Sequence, residues 1–132
     1  MGVEQGEQAA SQEVEAVSLS GGSTKPDRVQ LDDLRAHKGR FFSVIQQTSR
    51  SQSGQMTVAP GREAGPPETH AADQVFLFLE GEALVRVWDP ELREMRAGPS
   101  TLVTVPAGVK HWVKSVGHEP LFFFTVYAPP EY

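Results

Sequence analysis

From residue 40 onward, the sequence consists of short apolar segments separated by glycine and proline. The segments occupy residues 41–47, 55–59, 74–80, 83–88, 101–105, 109–114 and 121–127. Between them stand turn-forming pairs such as Pro60-Gly61, Gly98-Pro99 and the triplet Pro106-Ala-Gly108. Short segments at this close and regular spacing predict β-strands, and their number is typical of a sandwich or a barrel.

The part of the chain before these segments has a different composition. Residues 1–26 are rich in Glu, Gln, Ser and Gly, which predicts a flexible tail with at most a short strand at 13–19. Leu31 and Leu34 are three residues apart behind Asp27, which favours a short helix within 29–37. We therefore expect a single domain at 27–132.

Composition excludes several classes of function. The 132 residues carry a formal net charge of −5 with scattered Lys and Arg, so we expect no nucleic acid partner. No stretch approaches the roughly 18 apolar residues of a spanning helix, and the N-terminus has no signal-peptide pattern. We expect no membrane partner and a cytoplasmic location. Since the chain has no Cys, any metal must be bound through nitrogen and oxygen.

Four polar residues have the spacing of a shared binding site. Glu68 and His70 are two residues apart, so on an extended strand both side chains leave one face and can contact one ion. Gln74 begins the next apolar strand after three residues that favour a turn, which could place it beside His70. His111 follows the turn Pro106-Ala-Gly108 much later in the sequence, as expected if a barrel brings two hairpins together.

In this arrangement the sequence resembles the cupins, which carry two conserved motifs. Their first motif contains His-x-His, a glutamate three or four residues later and a glycine after six more, and their second contains Pro-x-Gly-x2-His. The matching segments here are Glu68-x-His70-x3-Gln74-x6-Gly81 and Pro106-x-Gly108-x2-His111. The resemblance covers about residues 40–132.

The two motifs also depart from the cupin pattern. Glu68 replaces the first histidine and Gln74 replaces the usual glutamate, but both keep a donor atom at a ligand position. Gly98 stands two residues earlier than the second motif requires, and Ser115 takes the place of the usual asparagine. These departures affect the loops more than the ligands.

The resemblance implies an all-β fold, namely a cupin double-stranded β-helix (jelly-roll) barrel with a short N-terminal helix. It also implies one divalent metal ion in the pocket, held by Glu68, His70, Gln74 and His111. Two imidazoles and one carboxylate leave coordination positions open, and Fe, Mn, Ni or Zn fits such a donor set.

Each site residue also has a plainer interpretation. Glu68 could be a solvated loop carboxylate, and Gln74 could only hydrogen-bond to its strand neighbours. Phe76 and Phe78 share the strand face of Gln74 and are possible pocket-lining residues, although aromatic side chains at a period of two usually pack in a core. Tyr127 could contact a ligand or only cap the sheet.

The reaction stays open at this point, and no catalytic residue is assigned. Open metal positions favour a metal-dependent enzyme, dioxygenase-like or isomerase-like, that acts on a small oxygen-rich molecule. A non-catalytic module that binds or senses a small ligand is the alternative, and an assembly unit that has lost its metal is a third. We expect a homodimer, because small cupins usually pair and the apolar run 121–127 exceeds what one barrel needs to bury.

Overall fold

The structure is a computed structural model that describes residues 27–132. The predicted tail at 1–26 and the strand expected at 13–19 lie outside the described residues. The described part contains eight strands, which are β1 (Phe42–Gln47), β2 (Gln52–Val58), β3 (Asp73–Glu80), β4 (Ala83–Trp88), β5 (Leu92–Ala97), β6 (Leu102–Val105), β7 (Lys110–Ser115) and β8 (Leu121–Ala128). Each of the seven segments predicted as strands between residues 41 and 127 is one, and β5 is additional.

The strands form two antiparallel sheets, with the orders β1-β2-β8-β3-β6 and β5-β4-β7. Two antiparallel sheets are what the predicted jelly roll requires, but within residues 27–132 no ladder joins them, so the sheets are open rather than closed into a barrel. The loop between β2 and β3 contacts β7 through isolated bridges at Glu63 and Glu68 and through a hydrogen bond from the Gly61 N–H to the Ser115 carbonyl, without forming a continuous ladder. Pro66 and Pro67 lie between these bridges and lack the N–H group that a continuous ladder needs.

A shared hydrophobic core holds the two sheets together. β4 alternates buried and half-buried residues along its length, as the period of two predicts for a strand with one face on a core. The core residues are Met56, Val58, Phe76, Phe78, Ala83, Val85, Val87, Ala97, Val105, Val113, Leu121 and Phe123. Removing these side chains from water supplies the main driving force for folding.

The N-terminal helix predicted within 29–37 is only a 3₁₀ turn at Leu34–His37. The residues before it run beside β1, where the side-chain amide of Gln30 donates to the backbone of Gln47 and also accepts from it. These contacts hold the preceding chain outside a helix. No helix in residues 27–132 is long and apolar enough to cross a membrane.

Glu80 anchors the 3₁₀ turn to the end of β3. Its carboxylate pairs with Lys38 and with Arg35, and both cations lie 5.5 Å from the centroid of the Phe122 ring. The hydrogen bond from Lys38 lowers the pKa of Glu80 most, followed by that from Arg35. The carboxylate of Glu80 is therefore engaged in holding the turn.

Two differences in the strands have local causes. β5 has the sequence LREMRA and lies at the edge of its sheet, where charged side chains are common. These charged residues interrupt the alternation of apolar and polar residues, so the sequence pattern did not predict this strand. β2 begins at Gln52, three residues before its predicted start. The prediction missed this start because the first buried residues of the strand are polar or small. At Gly54 a Cβ would lie 2.2 Å from the carbonyl oxygen of Ser43, so only glycine permits this approach of β1 to β2.

Candidate functional site

A cavity of about 140 Å³ lies between the two sheets. Strands of both sheets contribute to its wall, together with the loop before β3 and the residues after β8. The polar lining consists of Glu68, His70, Gln74, His111, Tyr127 and Tyr132. Most of the other lining is apolar, which includes Phe42, Met56 and Phe123.

Backbone hydrogen bonds join the two segments that carry the candidate ligands. The N–H groups of Glu68 and His111 each donate to the carbonyl of the other, at 3.1 and 3.0 Å. The Gly108 N–H donates to the His70 carbonyl at 2.9 Å, and its φ of +85° is one that glycine adopts without strain. Glu68 and His70 thus lie in a loop rather than on an extended strand, and this loop is fixed against the start of β7.

Gln74 connects His111 to strand β8. His70, Gln74 and His111 are 7%, 3% and 5% exposed, so their polar groups must find partners inside the protein. The Gln74 amide nitrogen donates to the Thr125 hydroxyl at 3.0 Å and to the Tyr127 hydroxyl at 3.1 Å. Its amide oxygen lies 3.0 Å from Nε2 of His111.

The protonation of His111 determines what this last contact means. Nδ1 lies 3.0 Å from the Val109 carbonyl, which accepts only from a protonated Nδ1. Burial lowers the pKa of His111, so at neutral pH the ring is neutral and Nε2 carries a lone pair. The lone pairs of Nε2 and of the Gln74 oxygen then face each other without a proton between them. A cation held by both atoms would satisfy both lone pairs.

His70 presents its second nitrogen to the same space. Its ring centroid lies 5.1 Å from that of His111, and its Nε2 is 3.9 Å from Oε2 of Glu68. On the other side of the ring, Nδ1 is 3.2 Å from Oε2 of Glu131. Nε2 is therefore the nitrogen of His70 that is directed towards Glu68.

Glu68 is the least enclosed of the four candidate ligands, because its side chain is 44% exposed. In the described range 27–132, no group of three or more His, Asp or Glu side chains is arranged to hold an ion. Glu68, His70 and His111 are therefore not arranged around one ion as they stand. Their nitrogen and oxygen atoms, together with the amide oxygen of Gln74, are donors of the type that divalent ions accept.

Two tyrosines add hydrogen-bond donors to the cavity. The ring centroids of Tyr127 and Tyr132 are 5.2 Å apart. Burial raises the pKa of each phenol, so both are protonated at neutral pH. Among residues 27–132, no Lys or Arg lines the cavity, so a metal ion would be the main positive charge that this part of the chain offers to a ligand.

The three possible lining residues have different positions. Phe76 and Tyr127 line the cavity, whereas Phe78 is fully buried in the core beneath it. Phe76 and Phe78 stack with their ring centroids 5.8 Å apart. The face of β3 that carries Gln74 therefore serves two purposes. Phe76 lines the cavity, and Phe78 packs in the hydrophobic core.

Sequence reasoning missed Gln52, Glu131 and Tyr132 near the site. Gln52 is 2% exposed and hydrogen-bonds to the backbone of Glu131 and Tyr132. These contacts join residues about 80 positions apart, and no periodicity or local motif marks them. The only local sign in the sequence is weak: two prolines and Glu131 directly follow the apolar strand β8, which indicates a change of chain direction there.

Comparison with protein families gives one match to this fold. The family described as "Cupin domain" matches residues 54–127, which is more than half of the chain. No curated protein matches the sequence.

Several solved structures resemble the chain over most of its length. BH2720 from Bacillus halodurans is 26% identical, with a TM-score of 0.70 over 83% of this chain and 85% of that one. TT1209 from Thermus thermophilus is also 26% identical, with a TM-score of 0.67 over 76% of this chain and 98% of that one. The oxalate decarboxylase of Lactobacillus farciminis is 20% identical, with a TM-score of 0.59 over 64% of this chain and 26% of that one. This last likeness concerns the fold alone.

Proposed function

The chain belongs to the cupin domain family, and from that membership we propose that it is a metal-dependent enzyme. Its ligands for one divalent ion are Glu68, His70, Gln74 and His111. The substrate is a small oxygen-rich molecule, and the chemistry is dioxygenase-like or isomerase-like.

The contact between His111 and Gln74 is the observation that carries the proposal. Nε2 of a neutral His111 and the amide oxygen of Gln74 are both acceptors, yet they are 3.0 Å apart in a buried place. Two buried acceptors that face each other without a proton are costly inside a protein, and a cation removes the cost. Nε2 of His70 and the Glu68 carboxylate face the same space and would supply the remaining donors.

When bound, the ion would supply Lewis-acid or oxygen-activating chemistry, and Fe, Mn, Ni and Zn are all compatible with the ligands. The residues of the chain have the tasks of binding and orienting. The bonds of Gln74 to Thr125 and Tyr127 hold its side-chain amide beside His111. The phenols of Tyr127 and Tyr132 would donate hydrogen bonds to an oxygen atom of the substrate.

The dimensions of the cavity restrict the substrate. Its volume of about 140 Å³ is below the roughly 300–1,000 Å³ of sites for drug-sized ligands. A compact molecule with one or two oxygen donors therefore fits better than an oligosaccharide. A structural neighbour is named as an oxalate decarboxylase, and small carboxylates belong in a substrate screen for this reason.

A non-catalytic module that binds a small ligand is the second candidate. If the Gln74 amide were turned around, its NH2 would donate to His111 and its oxygen would accept from the hydroxyls of Thr125 and Tyr127. The buried polar network would then be complete without an ion. Metal analysis separates this arrangement from the proposed one.

The test begins with protein purified without added metal and analysed by inductively coupled plasma mass spectrometry. We expect about one divalent ion per chain, or uptake of one after incubation with Fe²⁺ or Mn²⁺. Oxygen consumption and product formation are then screened with small carboxylates, catechols and sugars. Turnover that is lost in Glu68→Ala supports the enzyme, whereas ligand binding without turnover under any metal favours the binding module.

A matched pair of histidine variants tests the ligand set. His111→Ala should lower metal affinity by more than about tenfold, because it removes a buried imidazole donor. His118→Ala changes a histidine in the turn before β8, outside the cavity wall, and should leave affinity unchanged. Equal metal content in His111→Ala and the parent would contradict the ligand assignment.

We also propose a homodimer with a cytoplasmic location. The formal net charge of −5 makes nucleic acid an unsuitable partner. The apolar run 121–127 does not support pairing, however, because β8 pairs with β2 and β3 and most of this run is buried within the chain. An interface must therefore use other apolar residues.

A further inference from the structure

The residues after β8 are held in place by one buried side chain, Gln52 at the start of β2. The amide oxygen of Gln52 accepts from the backbone N–H groups of Glu131 and Tyr132, at 3.2 and 2.8 Å. Its amide nitrogen donates to the Tyr132 carbonyl at 2.7 Å and to the side-chain oxygen of Gln47 at 2.9 Å. Gln52 thus uses both ends of its amide to fix the backbone of residues 131–132.

This fixation places the Glu131 carboxylate against His70. Oε2 of Glu131 lies 3.2 Å from Nδ1 of His70, and the Glu131 side chain is only 22% exposed. A carboxylate oxygen accepts hydrogen bonds, so this contact favours the tautomer of a neutral His70 ring that carries its proton on Nδ1. Nε2 is then left with a lone pair, directed towards Glu68 at 3.9 Å.

We propose that Glu131 is a positioning residue that fixes the tautomer and orientation of His70, and that Gln52 holds Glu131 in place. Glu131 does not contact the substrate or the ion itself. The consequence for metal binding rests on the proposed function, whereas the consequence for the tautomer does not. A carboxylate behind a ligating imidazole raises the basicity of the ligand, and its loss commonly costs about 10–100-fold in metal affinity.

Glu131→Gln tests the carboxylate with little change in shape. The new amide can either accept from Nδ1 or donate to it, so the tautomer of His70 is no longer enforced. Glu119→Gln is the matched control, because Glu119 is exposed in the turn before β8, at the opposite end of that strand from Tyr127. Gln52→Leu is the second variant, which removes the bonds that hold residues 131–132.

The first measurement is the long-range ¹H–¹⁵N spectrum of metal-free protein, which reports the tautomer of His70. We expect Nδ1–H in the parent and in Glu119→Gln, and a mixture of tautomers in Glu131→Gln and Gln52→Leu. The second measurement is Co²⁺ binding by calorimetry, in which Glu131→Gln should bind about tenfold more weakly or worse.

The outcomes separate this inference from the proposed function. An Nε2–H tautomer in the parent, or a spectrum of Glu131→Gln equal to that of Glu119→Gln, overturns the role of Glu131. If the parent binds Co²⁺ while Glu131→Gln matches Glu119→Gln in affinity, the inference fails and the metal site stands. If the parent binds no metal, the proposed function fails and the spectra alone decide on Glu131.

Discussion

At the scale of single residues, the site depends on which buried atoms carry protons. His111 donates from Nδ1 to a backbone carbonyl, and Gln74 donates to two hydroxyls. The remaining atoms of both side chains are acceptors that meet at 3.0 Å. The position of Gln74 thus decides whether the pocket prefers an ion, and its substitution is the most direct probe of that preference.

Gln74→Glu should bind a divalent ion about tenfold more tightly than the parent, because a second carboxylate adds negative charge beside it. Without metal the same variant should be less stable by about 1–3 kcal/mol, since a carboxylate is costly to remove from water at a position that is 3% exposed. Gln74→Leu should bind the ion more weakly than the parent. Calorimetry and urea unfolding with and without metal measure these changes. Tighter binding in Gln74→Leu than in Gln74→Glu would be incompatible with a ligand role.

His111 should also make the stability of the metal-free protein depend on pH. Burial lowers its pKa in the folded state, so below about pH 6.5 the unfolded state binds a proton that the folded state does not. The contribution of the neutral ring is complete above about pH 6.5 and is lost as the pH falls towards the folded pKa. Urea unfolding in the presence of EDTA should show this loss as the pH falls below about 6.5. His111→Gln should reduce the loss and His118→Gln should not, and an equal loss in all three proteins would refute the assignment.

At the scale of elements, β2 connects the site to the rest of the larger sheet. It pairs with β1 on one side and with β8 on the other. Its first residue, Gln52, holds the residues after β8, and Gly54 permits the close approach of β1. Both contacts depend on one particular side chain or its absence, at positions where β2 shows no alternation of apolar and polar residues.

Gly54→Ala should lower the free energy of unfolding by about 1–3 kcal/mol or more, because the added Cβ would lie 2.2 Å from a backbone oxygen. Ser53→Ala, at the half-buried neighbouring position, should change it by less than about 0.5 kcal/mol. Urea denaturation of both variants measures the difference. A Gly54→Ala protein as stable as Ser53→Ala would show that β1 and β2 separate at little cost.

At the scale of the whole molecule, the two open sheets leave apolar residues on one side of the larger sheet. The chain before the 3₁₀ turn runs beside β1, and exposed apolar residues in this region are Val29, Leu31, Phe41 and Val44. Isolated exposed residues are common, but several near one edge favour contact with a second copy.

Light scattering at micromolar protein should therefore give twice the mass of the chain. Val44→Lys places a charge on the edge strand β1 and should shift the protein towards the monomer. Leu102→Lys is the matched control on the other edge strand, β6, where Leu102 is 65% exposed. A monomeric parent would contradict the dimer, and dissociation by Leu102→Lys alone would move the interface to β6.

The sequence predicts the strands better than it predicts the contacts among them. Alternation is clear in β3 and β4, whose inward residues are apolar, but charged residues conceal it in β5. Two motifs were sufficient to bring His70, Gln74 and His111 into one set, and the structure places all three at the cavity. Glu131 could not be found from the sequence, because its position depends on a hydrogen bond that its N–H donates to the side chain of Gln52, far away in the sequence.

The part of the cavity wall that residues 27–132 provide includes Glu68 but no Lys or Arg, which has a consequence for the order of binding events. An anionic molecule entering the metal-free protein would meet negative charge and two neutral phenols, with no fixed cation to offset its own charge. Association of the ion and of an anion should then be strongly cooperative, and thermodynamic linkage makes such cooperativity mutual. The anion should raise the affinity for the ion by the same factor by which the ion raises the affinity for the anion. Bound anions should therefore slow the removal of the ion by EDTA, and this resistance can identify ligands before any turnover is known.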